Sequence, residues 1–248
     1  GNTMGTDRLR WIYRAYRYRY KLEKQEIRLL LDQLAPGDVA VDVGAHKGAY
    51  TYWMRKAVGD SGRVFAFEPQ PVLARRLQAL ARSGGLDNVV VENLGVSSSA
   101  GTMLLNVPGT GSSPGASLEP GLGGNHAQSY PVKVVTLDDY FDDARTDRIR
   151  LIKCDAEGHE LEVFRGGEQL LKTVRPALLF ECERRHRASG SVEEVFSYLE
   201  TLGFRGFFVD RNGLKDIGGF EPDRHQLEGS PAYINNFLFI ADTEREAG

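Results

Sequence analysis

Val39-Ala40-Val41-Asp42-Val43 is a short β-branched run that stops at Gly44, and Ala45-His46-Lys47-Gly48 follow at once. The alternation predicts a strand, and the glycines at 44 and 48 predict a tight turn with no Cβ to keep a ligand off the backbone. A second apolar run, Val64-Phe65-Ala66-Phe67, ends in Glu68. That carboxylate comes about 20 residues after the turn, the distance at which a strand-end acid grips a ribose diol. Type and spacing together describe a pocket for a nucleotide-type cofactor, made of backbone and one carboxylate.

Two nucleotide chemistries compete for this pattern. A dinucleotide site normally reads G-x-G-x-x-G and sets a pyrophosphate on a helix N-terminus. Here the spacing is Gly44-x-x-x-Gly48, with Asp42 immediately before the turn. A carboxylate there repels a pyrophosphate and suits an ammonium or sulfonium group. The expectation is therefore S-adenosylmethionine rather than NAD.

The elements that must position these residues alternate along the chain. A helix is predicted over 7–35, with Leu9, Ile12, Tyr16, Tyr20, Ile27, Leu30, Leu31 and Leu34 near one face. Strand 39–43, helix 50–58, strand 63–67, helix 71–83 and a strand from Val89 follow. A Gly/Pro/Ser-rich stretch from Pro108 to Gly124 breaks the rhythm, and extended structure resumes at Pro131. Strand 149–154, a helix over 158–174 with an irregularity at Gly166-Gly167, strand 177–183 and a helix from an N-cap at Ser191 come next, Glu194 standing at the capping-box position. Strands 204–210 and 236–241 close the chain with no helix predicted between them. The expected fold is α/β: a Rossmann-like, doubly wound, mostly parallel seven-stranded sheet with an antiparallel last strand. We divide the chain into a basic and aromatic helical extension, 1–35, and a catalytic domain, 36–248, with an insertion at about 108–130.

In such a sheet ligands sit beyond the carboxyl ends of the strands, which gathers the 42–48 turn, Glu68, Asn93 and Asp155 around one crevice. Glu181 and Glu183 are expected at its rim, on the side of their strand opposite Cys182. Lys153 and Asp155 likewise oppose Cys154, so both cysteines are read as core residues. Asp155 is the first candidate for a base, with Glu157 and His159 behind it and Glu181 beside it. Glu157 and Glu160 could instead bind backbone N–H groups at a helix start. Asp155 and Glu181 also offer hard oxygen ligands for Mg²⁺, but neighbouring arginines can neutralise the strand-five acids, and the metal-independent version is preferred. His126 and His225 are candidates for the acceptor wall, and His186, flanked by arginines, reads as a surface residue.

Composition narrows the classes. Of 248 residues, 41% are hydrophobic and 26% charged, with formal net charge −3, which describes an ordinary globular enzyme and not a nucleic-acid binder. No apolar run approaches the roughly 20 residues of a membrane span. The 2 cysteines do not form a disulfide framework, and the cytoplasm is the expected compartment. Arg8, Arg10, Arg14, Arg17, Arg19 and Lys21 alternate with Trp11, Tyr13, Tyr16, Tyr18 and Tyr20. Such a helix can dock on an anionic membrane surface; packing on the domain or on a partner in a homodimer is the preferred reading.

Asp42-Val-Gly44-Ala-His46-Lys-Gly48-Ala-Tyr-Thr51, Phe67-Glu68-Pro69, Thr136-Leu-Asp-Asp139, Asp155-Ala-Glu157-Gly158-His-Glu160 and Leu179-Phe180-Glu181 resemble the FkbM-type S-adenosylmethionine-dependent methyltransferases. The resemblance spans residues 25–241 and implies a class I methyltransferase fold and O-methylation of a hydroxyl on a sugar or natural product. It implies a cofactor set of Asp42, Gly44, Ala45, His46, Gly48, Tyr50, Thr51, Glu68, Pro69, Gln70, Asn93 and Asp155, with a small-molecule hydroxyl acceptor as partner. A nicotinamide-dependent oxidoreductase and a non-catalytic nucleotide-binding scaffold are the alternatives.

Overall fold

The computed structural model describes residues 3–109, 112–120, 128–142, 146–187 and 190–242. The chain enters through helix α1 (Thr3–Arg17), one turn of π-helix (Tyr18–Leu22) and α2 (Lys24–Asp32). Then come β1 (Val39–Val43), α3 (Ala49–Val58), β2 (Arg63–Phe67), α4 (Pro71–Ser83) and β3 (Val89–Glu92). Strands β4 (Gly95–Val96), β5 (Gly101–Val107) and β6 (Gln128–Val135) precede α5 (Leu137–Tyr140) and β7 (Ile149–Cys154). The rest is α6 (Glu160–Arg165), α7 (Glu168–Thr173), β8 (Ala177–Glu181), α8 (Val192–Thr201), β9 (Phe204–Asp210), β10 (Gly213–Asp216), α9 (Pro222–His225) and β11 (Asn236–Ala241).

The main sheet has the order β10-β9-β11-β8-β7-β1-β2-β3, with β11 antiparallel to both β8 and β9. It is the mixed, mostly parallel sheet expected, extended to 8 strands by β10. That edge strand is too short and too exposed to announce itself by alternation. The last two long strands are not a simple hairpin: β10 and α9 lie between them in sequence, and β11 inserts between β8 and β9. A second sheet, β4-β6-β5, was not foreseen. Pro131 of β6 lies opposite Leu104 of β5 and beyond the reach of β4, so one side of the strand is an edge there, where proline is tolerated.

Apolar side chains fill both faces of the main sheet. Phe164, Phe180, Phe196, Phe237 and Phe239 dominate one face; Trp53, Met54, Leu77 and Trp11 dominate the other. Cys154 and Cys182 are buried free thiols within the first of these cores, as their strand parity predicts.

The single N-terminal helix of the prediction is broken. The Glu23 N–H reaches back to Tyr18 O at 2.9 Å and ends the π turn, and Glu23 itself leaves helical geometry at φ −133°, ψ 54°. The buried face changes accordingly: Trp11, Ala15, Ile27 and Leu30 are inside, while Leu9, Tyr16 and Tyr20 are exposed. Trp11 donates to Gly48 O at 2.7 Å and Trp53 to Ala15 O at 2.8 Å, which fastens α1 onto α3. Ser191 stands at the N-cap of α8 without a side-chain bond, so no capping box forms.

Register is what builds the site. Val43 pairs with Phe67 on one side and with Cys154 on the other, so β1, β2 and β7 end level. The residues that follow them, Gly44, Glu68 and Asp155, leave the sheet at one edge.

Candidate active site

A cleft opens at this edge. Gly44, Ala45, His46, Tyr50, Glu68, Pro69, Gln70 and Asp155 all line it. The turn fits because Gly44 has φ +77° and a Cβ there would lie 1.9 Å from Asp155 O. The backbone of β7 therefore presses directly on the turn. Gly44 and Ala45 both donate to Phe67 O, at 2.9 and 3.0 Å, which ties the turn to β2.

Glu68 is 2% exposed. Its two oxygens accept N–H bonds from His46 at 2.7 Å and Gln70 at 2.8 Å. Burial raises its pKa to about 7 against the pull of those two bonds. Each carboxylate oxygen keeps a further lone pair, so the group can still accept from a ligand diol. His46, at φ +49°, presents a buried Nε2 with no partner among the described residues. Burial and Lys47 lower its pKa to about 4, so the ring is neutral at neutral pH.

Several expected cofactor residues stand behind the wall. Asp42 is fully buried and accepts from the Thr51 hydroxyl at 2.6 Å, bracing the turn from beneath. Gly48 caps α3, where a Cβ would meet Leu77 at 2.5 Å. Asn93 is exposed and donates to Glu68 O at 2.9 Å and Pro69 O at 3.0 Å, fixing the backbone that carries Glu68.

Asp155 faces the cleft 3.5 Å from Lys153 Nζ. Lys153 is buried and lies 4.6 Å from the centre of the Tyr50 ring. Burial opposes its charge, but Asp155, Asp42, Glu23 and Glu181 outweigh that and raise its pKa. The Tyr50 hydroxyl donates to Glu23, whose own pKa burial raises. Lys153, Glu23, Tyr18 and Arg14 also line the cleft and were not anticipated as site residues. Lys153 shares its strand side with Asp155, a signal that sequence parity does contain. Nothing local marks Glu23 or Tyr18, because a break in the helix is what turns them inward.

The remaining expected catalytic residues do not reach the cleft. Glu157 lies 2.7 Å from His186 Nδ1 as an ion pair, which raises the His186 pKa and makes that residue more than a surface histidine. His159 is buried between Ser97 Oγ at 2.9 Å and Glu119 Oε1 at 2.6 Å, a strut between α6 and the small sheet. Glu160 accepts from Gly158 N at 3.0 Å and Ala156 N at 3.2 Å, the backbone role open to it from sequence. Glu181 accepts from Asn235 at 2.9 Å, and burial, Asp155 and Glu183 raise its pKa, so it stays protonated toward Glu183. Glu183 lies past the end of β8, which stops at Glu181. Against the penalty of burial, bonds from Glu181, Arg185 and Tyr233 keep Glu183 ionised. Asp155 is thus partnered by Lys153 and Glu181 by Asn235. No group of three or more His, Cys, Asp or Glu suited to a metal occurs among the described residues. No helix among them is long and apolar enough to cross a membrane.

The small sheet forms the apolar wall. Val96, Leu105, Ala116 and Leu118 line the cleft, and the Gln70 amide exchanges bonds with Ser113 N and O at 3.0 and 2.9 Å. The segment around Ser113 is therefore held over the pocket by a residue that follows β2. His126 lies outside the described residues, and His225 stacks on Phe220 away from the cleft.

The chain matches the methyltransferase FkbM domain over residues 42–205. It is 31% identical over 160 residues to a hexuronic acid methyltransferase of Haloferax volcanii, covering 61% of this chain and 59% of that protein. It is 30% identical over 192 residues to a methyltransferase of Sordaria araneosa, covering 66% of this chain and 72% of that one. Among solved structures, an FkbM methyltransferase from Methylobacillus flagellatus superposes with a TM-score of 0.56 at 17% identity, covering 90% of this chain and 47% of that one. A protein described as an rRNA methylase from Clostridium thermocellum superposes at 0.51 and 12% identity, covering 88% and 93%. These two likenesses establish the fold.

Proposed function

The chain belongs to the FkbM methyltransferase family, and from that premise we propose that it transfers the methyl group of S-adenosylmethionine to a hydroxyl oxygen of a sugar or natural product. The observation that carries this reading is the shared cleft: a buried strand-end carboxylate, Glu68, and a second carboxylate, Asp155, line it with the glycine turn between their strands. Glu68 and the Pro69-Gln70 backbone would hold the ribose, and the apolar wall of Val96 and Leu118 would cover the adenine. When bound, the donor supplies a methyl carbon already activated by a sulfonium, so alignment and exclusion of water are what the protein must add. Asp155 is suited both to face that positive charge and to take the proton of an attacking hydroxyl. Lys153 orients Asp155, and Tyr50 with Glu23 orients Lys153. Closing the cleft with α1 and the small sheet keeps water from competing with the acceptor.

The hexuronic acid relative supports a sugar as acceptor. The test is methyl transfer from isotopically labelled S-adenosylmethionine to a panel of sugars, uronic acids and polyketide-like alcohols, with the product linkage determined by mass spectrometry and NMR. A methyl ether on a hydroxyl is the expected product. Methylation at carbon or nitrogen, or formation of a carboxyl methyl ester alone, would overturn the hydroxyl assignment.

A further inference from the structure

A second depression, larger and more open than the cleft, lies on the same sheet edge. Strand β9 runs parallel to β8 because each is antiparallel to β11, so its end at Asp210 emerges beside the ends of β8, β7 and β1. The groove is built on that end, on β10, on the 224–234 segment and on the N-terminal strap. The strap is a common wall: Tyr18 and Glu23 face the cleft, while Lys21, Leu22 and Lys24 face the groove. From β9 to β7 is three strand spacings, roughly 14 Å.

The charges of the groove are unequal in a way that composition hides. Its three carboxylates are already engaged. Glu26 accepts from Asn236 at 3.3 Å, Asp210 from Asn212 N at 2.6 Å, and Asp216 pairs with Arg205 at 3.1 Å. Lys21, Lys24, Lys215 and Arg224 also line it, and their side chains have no hydrogen bond or ion pair among the described residues. The lining sets Lys21, Lys24, Arg211, Lys215 and Arg224 against Glu26, Asp210 and Asp216, so the groove has an excess of positive charge within a chain whose formal net charge is −3.

We propose that this groove binds the distal part of an extended acceptor, and that the acceptor is an acidic oligosaccharide whose carboxylates meet Lys21, Lys24, Lys215 and Arg224. The proposal rests on the methyl-transfer reading above and names its substrate class. A glycan fits this surface because Gln25 and Asn212 stand among the cations and suit the sugar hydroxyls between acidic groups. The groove and the cleft lie on either side of the strap, so an acceptor long enough to cross the strap would set its terminal sugar at Asp155 with the rest in the groove.

The test is calorimetric titration of the full chain at pH 8 with a hexamer of galacturonic acid, with its fully methyl-esterified neutral form, and separately with S-adenosylhomocysteine. The acidic hexamer should bind at least about tenfold more tightly than the ester, and Lys215→Gln/Arg224→Gln should weaken it about tenfold, since two surface charge contacts are lost. The double variant should bind S-adenosylhomocysteine as the wild type does. Equal affinity for acid and ester, an unchanged double variant, or tighter binding of a single-stranded RNA of equal charge would overturn the proposal. Binding of S-adenosylhomocysteine without the hexamer overturns the groove alone; binding of the hexamer without S-adenosylhomocysteine overturns the catalytic reading beneath it.

Discussion

At one end of the cleft Glu68 is held by two backbone N–H groups, from His46 and Gln70, within a single strand-turn-helix-strand unit. At the other end Asp155 and Lys153 at the end of β7, Tyr50 and Glu23 come from three places in the chain and hold one another through side chains. The first arrangement is rigid because its donors are fixed by main-chain geometry. The second is adjustable because a long lysine and a tyrosine hydroxyl can follow whatever occupies the cleft. In the proposed function the main-chain end would serve the cofactor and the side-chain end the acceptor.

The largest expected effect breaks the compliant end. Asp155→Asn keeps the shape and removes the charge, and it should lower turnover by about 10²–10⁴ while leaving the circular dichroism spectrum unchanged. Full turnover in that variant would remove Asp155 from the chemistry. The next effect breaks the rigid end: Gly44→Ala pushes a methyl against Asp155 O, 1.9 Å from the ideal Cβ, in a left-handed conformation. Neither backbone can yield, so urea unfolding should show a loss of about 3 kcal/mol or more. A loss under about 1 kcal/mol would show that the turn is not held as described.

The side-chain end predicts a smaller cost. Tyr50→Phe removes the hydroxyl that reaches Glu23 and leaves a half-buried carboxylate short of a donor, for about 2 kcal/mol of stability. An unchanged urea midpoint would mean that solvent already reaches Glu23. Proton linkage at the rigid end is the most gradual effect, spread over more than two pH units. Folded Glu68, with a pKa of about 7, keeps a proton that the unfolded chain releases near 4.5. The native state thus binds more protons between those values, and the stability from Glu68 is full below about pH 4.5 and lost as pH rises through 7. The slope is at most about 1.4 kcal/mol per pH unit. His46, neutral in the fold, has the opposite sign below its ordinary 6.5. The measurement is therefore the difference between wild type and Glu68→Gln, whose stability should fall less between pH 5 and 7. Identical slopes would mean that Glu68 is ionised throughout.

The same contrast explains what the sequence made legible. The Gly44 turn and Glu68 were readable because strand alternation, glycine punctuation and a strand-end acid are local signals. Asp155 was readable because strand β7 ends there. Asp42, Thr51 and Asn93 were recognised as belonging to the motif, but only coordinates show them bracing it from behind. His159 illustrates the limit more sharply: beside an apparent catalytic acid in sequence, it points the other way to Ser97 and Glu119, across a small sheet that short strands and a Gly-rich insertion had concealed. Glu23 was invisible for a different reason. Its inward turn depends on one π-helical turn interrupting a helix whose apolar spacing read as continuous.

Titration calorimetry with S-adenosylhomocysteine from pH 5.5 to 8.5, on wild type and Glu68→Gln, tests the central claim that a buried carboxylate on the rigid side of the cleft grips the cofactor's ribose. The account predicts that wild-type affinity rises about tenfold per pH unit below 7 and levels off above it, as the carboxylate sheds its proton. Glu68→Gln should bind about 1.5–3 kcal/mol more weakly than wild type at pH 8 and show no such rise. Wild-type affinity in a folded Glu68→Gln protein, with or without the pH dependence, would contradict it.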